Sequence, residues 1–218
     1  MTPNGFEDDF VWQDDDYRIK REEARAALIA VAEACLGRKL QDNPLIVGTS
    51  GRYEFRNKGL DVLLEGMKRL AGVGTPGSGG RVVCHGACRQ PGSPCRLAEA
   101  PAGSIAADRR SQWPWATHYL ENMQWDPIVR AIDGSPLADP ASKVHVIFVP
   151  SYLDDRDGIF DKSYYELLVG MDLTLFPSYY EPWGYTPLES IAFFRADRHP
   201  RPSPDSVFGS TGGRSIPA

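Results

Sequence analysis

The chain has 218 residues, enough for one full domain or two small ones, and its 42% apolar and 24% charged shares are ordinary for a globular protein. A net charge of −5 speaks against a general nucleic-acid binder, which would carry a clustered basic surface. The longest apolar runs are strand-length, far short of a membrane span, and the opening MTPNGFEDDF lacks the charged start and apolar core of a secretory signal, so the cytoplasm is the simplest address.

Residues 1–16 are acidic and irregular. From Asp16 to Gly37 the pattern predicts a helix, with Ile19, Leu28, Val31 and Cys35 at helical spacings and Gly37 as the stop. Leu45–Thr49 reads as a short buried strand ending in Ser50-Gly51, and Lys58–Ala71 as an amphipathic helix with Leu60, Leu63, Leu64, Met67 and Leu70 on one stripe. Strand, glycine-bearing loop and helix form the opening half of a βαβ unit. Residues 72–110 are rich in Gly, Pro, Ala and Arg and show no sustained period. Order returns at Trp113, followed by a strand over Lys143–Pro150, a short helix over Asp161–Val169, a strand over Asp172–Ser178 and a helix over Thr186–Phe194. The alternation predicts an α/β domain with a largely parallel sheet, whose ligands bind at the carboxyl ends of the strands. The loops 50–58 and 177–186 both follow strands directly.

Cys84, Cys88 and Cys95 with His85 have the spacing C-x3-C-x6-C, but no second arm closes a tetrahedral zinc site, so the cysteines are read as free thiols. Asp154-Asp155-Arg156-Asp157-Gly158 is read as a solvated turn rather than a metal loop. No metal ligand set is assigned.

Two constellations carry chemistry. In Gly51-Arg52-Tyr53-Glu54-Phe55-Arg56-Asn57-Lys58-Gly59, cations and glycines lie between a strand end and a helix start. That suits a phosphate, which Arg binds through its planar fork and Lys as a point charge; a solvated charged loop fits the same residues. In the second, Thr186-Pro187-Leu188-Glu189 has the form of a capping box, so Glu189 is either a structural cap or a ligand group. Gly184-Tyr185 ahead of it exposes backbone N–H donors suited to an anion, and Glu181, flanked by aromatics, is either a buried hydrogen-bonded group or a partner for sugar hydroxyls.

Four segments in order, Thr2–Gly5, Ser50–Gly59 (SGRYEFRNKG), Val146–Leu153 (VIFVPSYL) and Phe176–Glu189 (FPSYYEPWGYTPLE), resemble glycosyltransferase family 3, the glycogen synthases. The last carries the E-x7-E pattern of retaining glycosyltransferases as Glu181 and Glu189. The resemblance implies a Rossmann-like parallel sheet, the nucleotide-sugar-binding domain of a GT-B enzyme, here truncated. It implies transfer of glucose from UDP-glucose or ADP-glucose to the 4-hydroxyl of an α-1,4-glucan end, with retention and with no metal or cofactor. Arg52 and Lys58 would hold the pyrophosphate and Glu181 the donor glucose, as the catalytic set. The backbone of Gly184, Tyr185 and Thr186 would cradle the distal phosphate, Glu189 would bind the ribose, and Tyr152 and Tyr164 would flank the base. The implied partners are a nucleotide sugar and a glucan, without nucleic acid or membrane, and the full-length parent has room to be a homo-oligomer. A non-catalytic nucleotide-sugar-binding or interaction module on the same fold is the competing reading.

The chain departs from the family in two stretches. Residues 83–110 are Cys- and Pro-rich where the family has a strand and loop, so 72–110 is expected to be an irregular or frame-altered insert. After Phe194 the family's Val-Pro-Thr-like strand is missing, yet permitted codons for Phe194 to Pro200 shifted by one nucleotide read Ser-Val-Pro-Thr-Val-Thr. Residues 195–218 are therefore expected to be disordered or frame-shifted. In the family Thr-Pro-Asn-Gly lies near the domain junction, so 1–16 is expected to be a linker from a missing N-terminal domain, 17–194 a partial donor-binding domain, and the chain alone inactive.

Overall fold

The computed structural model describes residue 12 and residues 14–40, 43–73, 82–87, 113–181 and 184–195, without the side chains of 14, 82–87, 194 and 195. The expected linker and tail, along with Cys88 and Cys95, lie almost wholly outside these residues, and the side chains of Cys84 and His85 are not among those described. Cys35, which is described, is buried.

In chain order the elements are α1 (Asp14–Leu36), β1 (Leu45–Ser50), α2 (Leu60–Gly72), β2 (Val82–Ala87), a 3-10 turn (Met123–Trp125), α3 (Pro127–Ile132), β3 (Val144–Val149), α4 (Tyr164–Leu168), β4 (Leu173–Thr174) and α5 (Tyr185–Arg195). The four strands form one sheet in the order β3-β2-β1-β4, and every pairing is parallel. The expected α/β class with a small parallel sheet is therefore what the chain adopts.

A parallel sheet needs apolar side chains on both faces. Val144, Val146 and Phe148 of β3 join Val47 of β1, the α2 residues Leu60, Leu63, Leu64 and Met67, and α3 in one core. Ile147 and Val149 of β3 join Ile46 of β1, α1, α4 and Phe193 of α5 in the other. Helices thus cover both sides.

Several elements differ from the sequence expectation, each for a physical reason. The buried stripe of α1 is Tyr17, Ala24, Leu28, Ala32 and Cys35, whereas Ile19 is exposed. Alanine carries too little apolar signal to mark a core face, and small residues let α1 approach closely: a Cβ on Gly170 would lie 2.7 Å from the backbone nitrogen of Arg25. Leu70, expected on the α2 stripe, is also exposed. The stretch 72–110, expected to be irregular, contains β2, a central strand that pairs with both β1 and β3. Its six residues are too short a run to stand out within a Gly- and Pro-rich segment.

The strand expected over 172–178 is only Leu173–Thr174, flanked by backbone bonds from Asp172 N–H to Ile46 C=O (2.8 Å) and from Leu175 N–H to Gly48 C=O (2.9 Å). Pro177 has no N–H for the ladder, and the chain turns there toward the loop after β1. Among the described residues no helix is long and apolar enough to cross a membrane, and no cluster of three or more His, Cys, Asp or Glu is placed to hold a metal ion.

At the amino ends of β1 and β4, α1 is clamped by a carboxylate. Asp172 accepts from Arg21 and from Arg25, each at 2.7 Å, and from the Ile46 N–H at 2.8 Å. Arg21 also donates to the carbonyls of Val169 (2.7 Å) and Met171 (2.9 Å). This clamp leaves the carboxyl ends of the same strands free for other work.

Candidate functional site

The sheet order reverses direction at β1: β2 and β3 lie on one side of it, β4 on the other. Connections leaving β1 and β4 therefore diverge to opposite faces and open a crevice beyond the carboxyl ends of these two strands. A cavity of about 490 Å³ lies there, within the size range of small-molecule sites.

Its walls come from four parts of the chain. The loop after β1 supplies Ser50, Gly51, Arg52 and Lys58; the loop after β3 supplies Ser151, Tyr152 and Leu153. Tyr164 and Tyr165 come from the first turn of α4, and Glu181, Tyr185, Thr186 and Glu189 from the loop after β4 and from α5. Of the nine residues singled out from the sequence, eight line this one cavity. Gly184 does not: it immediately precedes α5 at φ 63°, a left-handed conformation that glycine adopts without strain, and its carbonyl accepts from Leu188 N–H at 3.0 Å.

The loops after β1 and β4 are zipped together. Gly59 has φ 65°, and a Cβ there would fall 1.8 Å from the carbonyl oxygen of Pro177. Tyr179 N–H donates to Asn57 C=O at 3.0 Å. Beyond this seam Lys58 Nζ donates to Glu181 Oε2, with the lysine side chain 11% and the carboxylate 25% exposed. Arg52 is far more open and lies 3.4 Å from Glu54. Tyr53 from the same loop donates to Asp126, whose other oxygen caps α3 by accepting from Ile128 N–H (2.9 Å) and Val129 N–H (3.0 Å).

The aromatic wall is set by a capping box that the sequence reading did not assign: Ser163 accepts from Glu166 N–H, and Glu166 accepts from Ser163 N–H. It places Tyr164 and Tyr165 side by side, ring centroids 5.3 Å apart. A bond from Tyr164 N–H to Leu153 C=O (3.1 Å) ties α4 to the loop carrying Tyr152. Ser50 Oγ donates to the Tyr164 hydroxyl at 3.0 Å. Burial, and then the charge of Glu189, raise the Tyr164 phenol above its ordinary range, against the lowering bond from Ser50.

The capping box expected at Thr186 and Glu189 is not what forms. The helix starts at Tyr185, which puts Thr186 inside its first turn, and Glu189 accepts instead from the Tyr165 hydroxyl at 2.9 Å. Burial raises the Glu189 carboxyl above its ordinary value, and the bond from Tyr165 opposes the rise. Burial and that same bond push the Tyr165 phenol up to about 12, so it remains a donor at every physiological pH.

Sequence reasoning missed Ser50, Gly51, Ser151, Leu153 and Tyr165 as cavity residues. The motif Ser163-Tyr164-Tyr165-Glu166 held the signal for Tyr165, because a capping box fixes which residues occupy the first turn. Chemically, the cavity joins two cations, the start of an 11-residue helix, two carboxylates and a phenol-rich wall. Cations and helix-start amides suit phosphate oxygens, acceptor-only carboxylates suit hydroxyls, and aromatic faces suit a planar ring.

Known proteins are similar to parts of this sequence. The family model for "Glycogen synthase" matches residues 102–193, a range that includes Tyr152, Tyr164, Glu181 and Glu189. "Glycogen [starch] synthase" of Neurospora crassa is 27% identical over an alignment of 202 positions, covering 68% of this chain and 29% of the relative. Isoform 2 of "Glycogen [starch] synthase" from Saccharomyces cerevisiae is 29% identical over 209 positions, covering 68% of this chain and 30% of the relative. The mouse liver "Glycogen [starch] synthase" is 39% identical over 86 positions, covering 39% of this chain and 12% of the relative. The chain thus spans at most 30% of the length of these three relatives. Over the part of its length that these matches cover, the chain is similar to the glycogen synthases, a family of glycosyltransferases.

Proposed function

We propose that this chain is the nucleotide-sugar-binding half of a GT-B glucosyltransferase, and that the cavity between β1 and β4 takes UDP-glucose or ADP-glucose. What supports the reading is the convergence of Arg52, Lys58, Glu181, Tyr152, Tyr164 and Glu189, from separate strand ends, on one cavity at the point where strand order reverses. Arg52 and Lys58 neutralise the pyrophosphate and the charge that grows on the departing nucleoside diphosphate. The start of α5, through the backbone of Tyr185 and Thr186, takes the distal phosphate; Gly184, which does not line the cavity, is not given that role. Glu181 accepts from hydroxyls of the donor glucose, Glu189 from the ribose, and Tyr152 and Tyr164 flank the base. The reading asks for no metal or cofactor, because protein cations and the helix start meet the charge.

In the whole enzyme the glucosyl group passes to the 4-hydroxyl of an α-1,4-glucan with retention. This chain spans about 30% of the length of the relatives that it matches most extensively. Transfer requires both substrates to be held in line, and the proposed reading gives this chain the donor side alone. Donor binding without transfer is therefore the expected behaviour of the chain by itself.

Calorimetric and thermal-shift titration with UDP-glucose and ADP-glucose tests the reading. A ligand that binds only the folded state stabilises it by about 2.7 kcal/mol at a hundred times its Kd. Saturable heat and a rising Tm with one donor are expected, with affinity at least tenfold weaker and a smaller Tm rise in Lys58→Ala. No heat and no Tm change with either donor at millimolar concentration would overturn the site.

A further inference from the structure

We infer that Tyr165 is a positioning residue of this site, whose hydroxyl holds one oxygen of Glu189 so that the other is presented to the vicinal diol of the nucleotide's ribose. The inference rests on the nucleotide-sugar reading above and extends it to a residue that neither the sequence motifs nor the comparisons assign.

The geometry carries it. Tyr165 donates to Glu189 Oε1 at 2.9 Å, and both side chains line the cavity. The phenol has little freedom to point elsewhere. Its ring stacks on Phe193 at 5.4 Å with an interplanar angle of 22°, and Phe193 is only 1% exposed. Its backbone sits in the first turn of α4, fixed by the Ser163–Glu166 capping box. A tyrosine hydroxyl has a single proton to give, and here it goes to one carboxylate oxygen. Among the described residues no hydrogen bond is made to the second oxygen of Glu189, whose lone pairs can serve a ligand, and the bond from Tyr165 sets the carboxylate plane before the ligand arrives. Pre-organisation of this kind removes part of the ordering cost of binding.

Charge points the same way. Burial disfavours the ionised form of Glu189, while donation from Tyr165 favours it. The other titratable groups that share the cavity are Tyr152, Tyr164, Tyr185, Arg52, Lys58 and Glu181. Only the ionised carboxylate is a pure acceptor, and only a pure acceptor receives bonds from two hydroxyls without offering a competing proton. Loss of the Tyr165 hydroxyl removes an influence that keeps Glu189 in that form, and it leaves the ring contacts in place.

The test compares the wild-type chain with Tyr165→Phe, Glu189→Gln and the double variant, each checked for native folding by near-UV circular dichroism. Binding of UDP, 2′-deoxy-UDP and inorganic pyrophosphate is measured by calorimetry from pH 5 to 8. Tyr165→Phe is expected to weaken UDP about tenfold, to narrow the preference for UDP over 2′-deoxy-UDP and to leave pyrophosphate unchanged. It is also expected to shift the acid limb of UDP affinity to higher pH, and to have little further effect in the Glu189→Gln background. UDP affinity and acid limb as in wild type, or an equal loss for all three ligands, would overturn the role of Tyr165 while leaving the nucleotide site standing. Absence of UDP binding in the wild-type chain would overturn the site reading and this inference with it.

Discussion

Lys58 and Glu181 are 123 residues apart in sequence, yet they form an ion pair across the seam between the loops that follow β1 and β4. Each is proposed to contact a different part of the same ligand, so the cation proposed for phosphate is held by the carboxylate proposed for sugar.

This pairing predicts opposite effects from its two halves. Lys58→Ala should weaken both UDP and UDP-glucose at least tenfold, because a charge-assisted bond to phosphate is worth about 1.5–3 kcal/mol. Glu181→Gln frees the lysine, so UDP should bind about threefold tighter or better, while the advantage of UDP-glucose over UDP shrinks. Calorimetry at low and high salt separates the two, since only the phosphate contact weakens strongly with salt. Equal weakening of UDP by both substitutions would contradict the assignment.

Glu189 predicts a pH dependence whose sign follows from its raised carboxyl. A carboxyl raised in the folded state binds protons there more readily than in the unfolded chain. Its contribution to stability therefore falls as pH rises from the ordinary carboxylate value through the raised one. Nucleotide affinity runs the other way, improving over the same window as the acceptor ionises. Glu189→Gln should raise Tm by a few degrees at pH 7, flatten this part of the stability profile and weaken UDP about tenfold. Thermal melts and calorimetry from pH 4 to 8 check the opposition.

Gly59 predicts that the seam itself limits stability. Its φ of 65° and the 1.8 Å approach that a Cβ would make to the Pro177 carbonyl leave no room for a side chain. Gly59→Ala should cost about 2–3 kcal/mol and weaken nucleotide binding, because Lys58 and Glu181 sit just beyond the tight contact. Urea denaturation gives the first quantity and calorimetry the second. Gly134, also at positive φ but with nothing within 4 Å of where a Cβ would stand, is the control, and alanine there should cost about 1 kcal/mol.

Asp172 predicts a loss of stability separated from binding. Removing it leaves Arg21, Arg25 and the Ile46 N–H without their shared acceptor in a partly buried place. Asp172→Ala should destabilise by about 2–3 kcal/mol, below the cost of breaking a fully buried pair because solvent reaches these groups. The residue lies at the amino ends of β1 and β4, so the folded fraction should bind UDP as wild type does. A urea midpoint unchanged from wild type would show that α1 does not depend on the clamp.

Local rules were enough for much of the fold. The 3.6-residue period of Leu60, Leu63, Leu64 and Met67 and the apolar run Val144–Val149 announce α2 and β3 because each element buries a face that its own residues define. The SGRYEFRNKG and FPSYYEPWGYTPLE wording likewise held all four charged residues that the cavity brings together.

What tertiary structure decided was pairing. Thr186 and Glu189 satisfy the local rule for a capping box, yet α5 starts one residue earlier and Glu189 bonds to Tyr165, 24 positions away. β2 lies in a segment without period and is defined by backbone bonds to both neighbours, and Asp172 finds Arg21 and Arg25 across 151 and 147 positions. The chemistry proposed for this protein was read from its residue types, because charge and hydrogen-bonding capacity belong to side chains individually. Which acid meets which base was not, because hydrogen bonds and ion pairs act over a few ångströms in space, and only the parallel sheet brings those ångströms about.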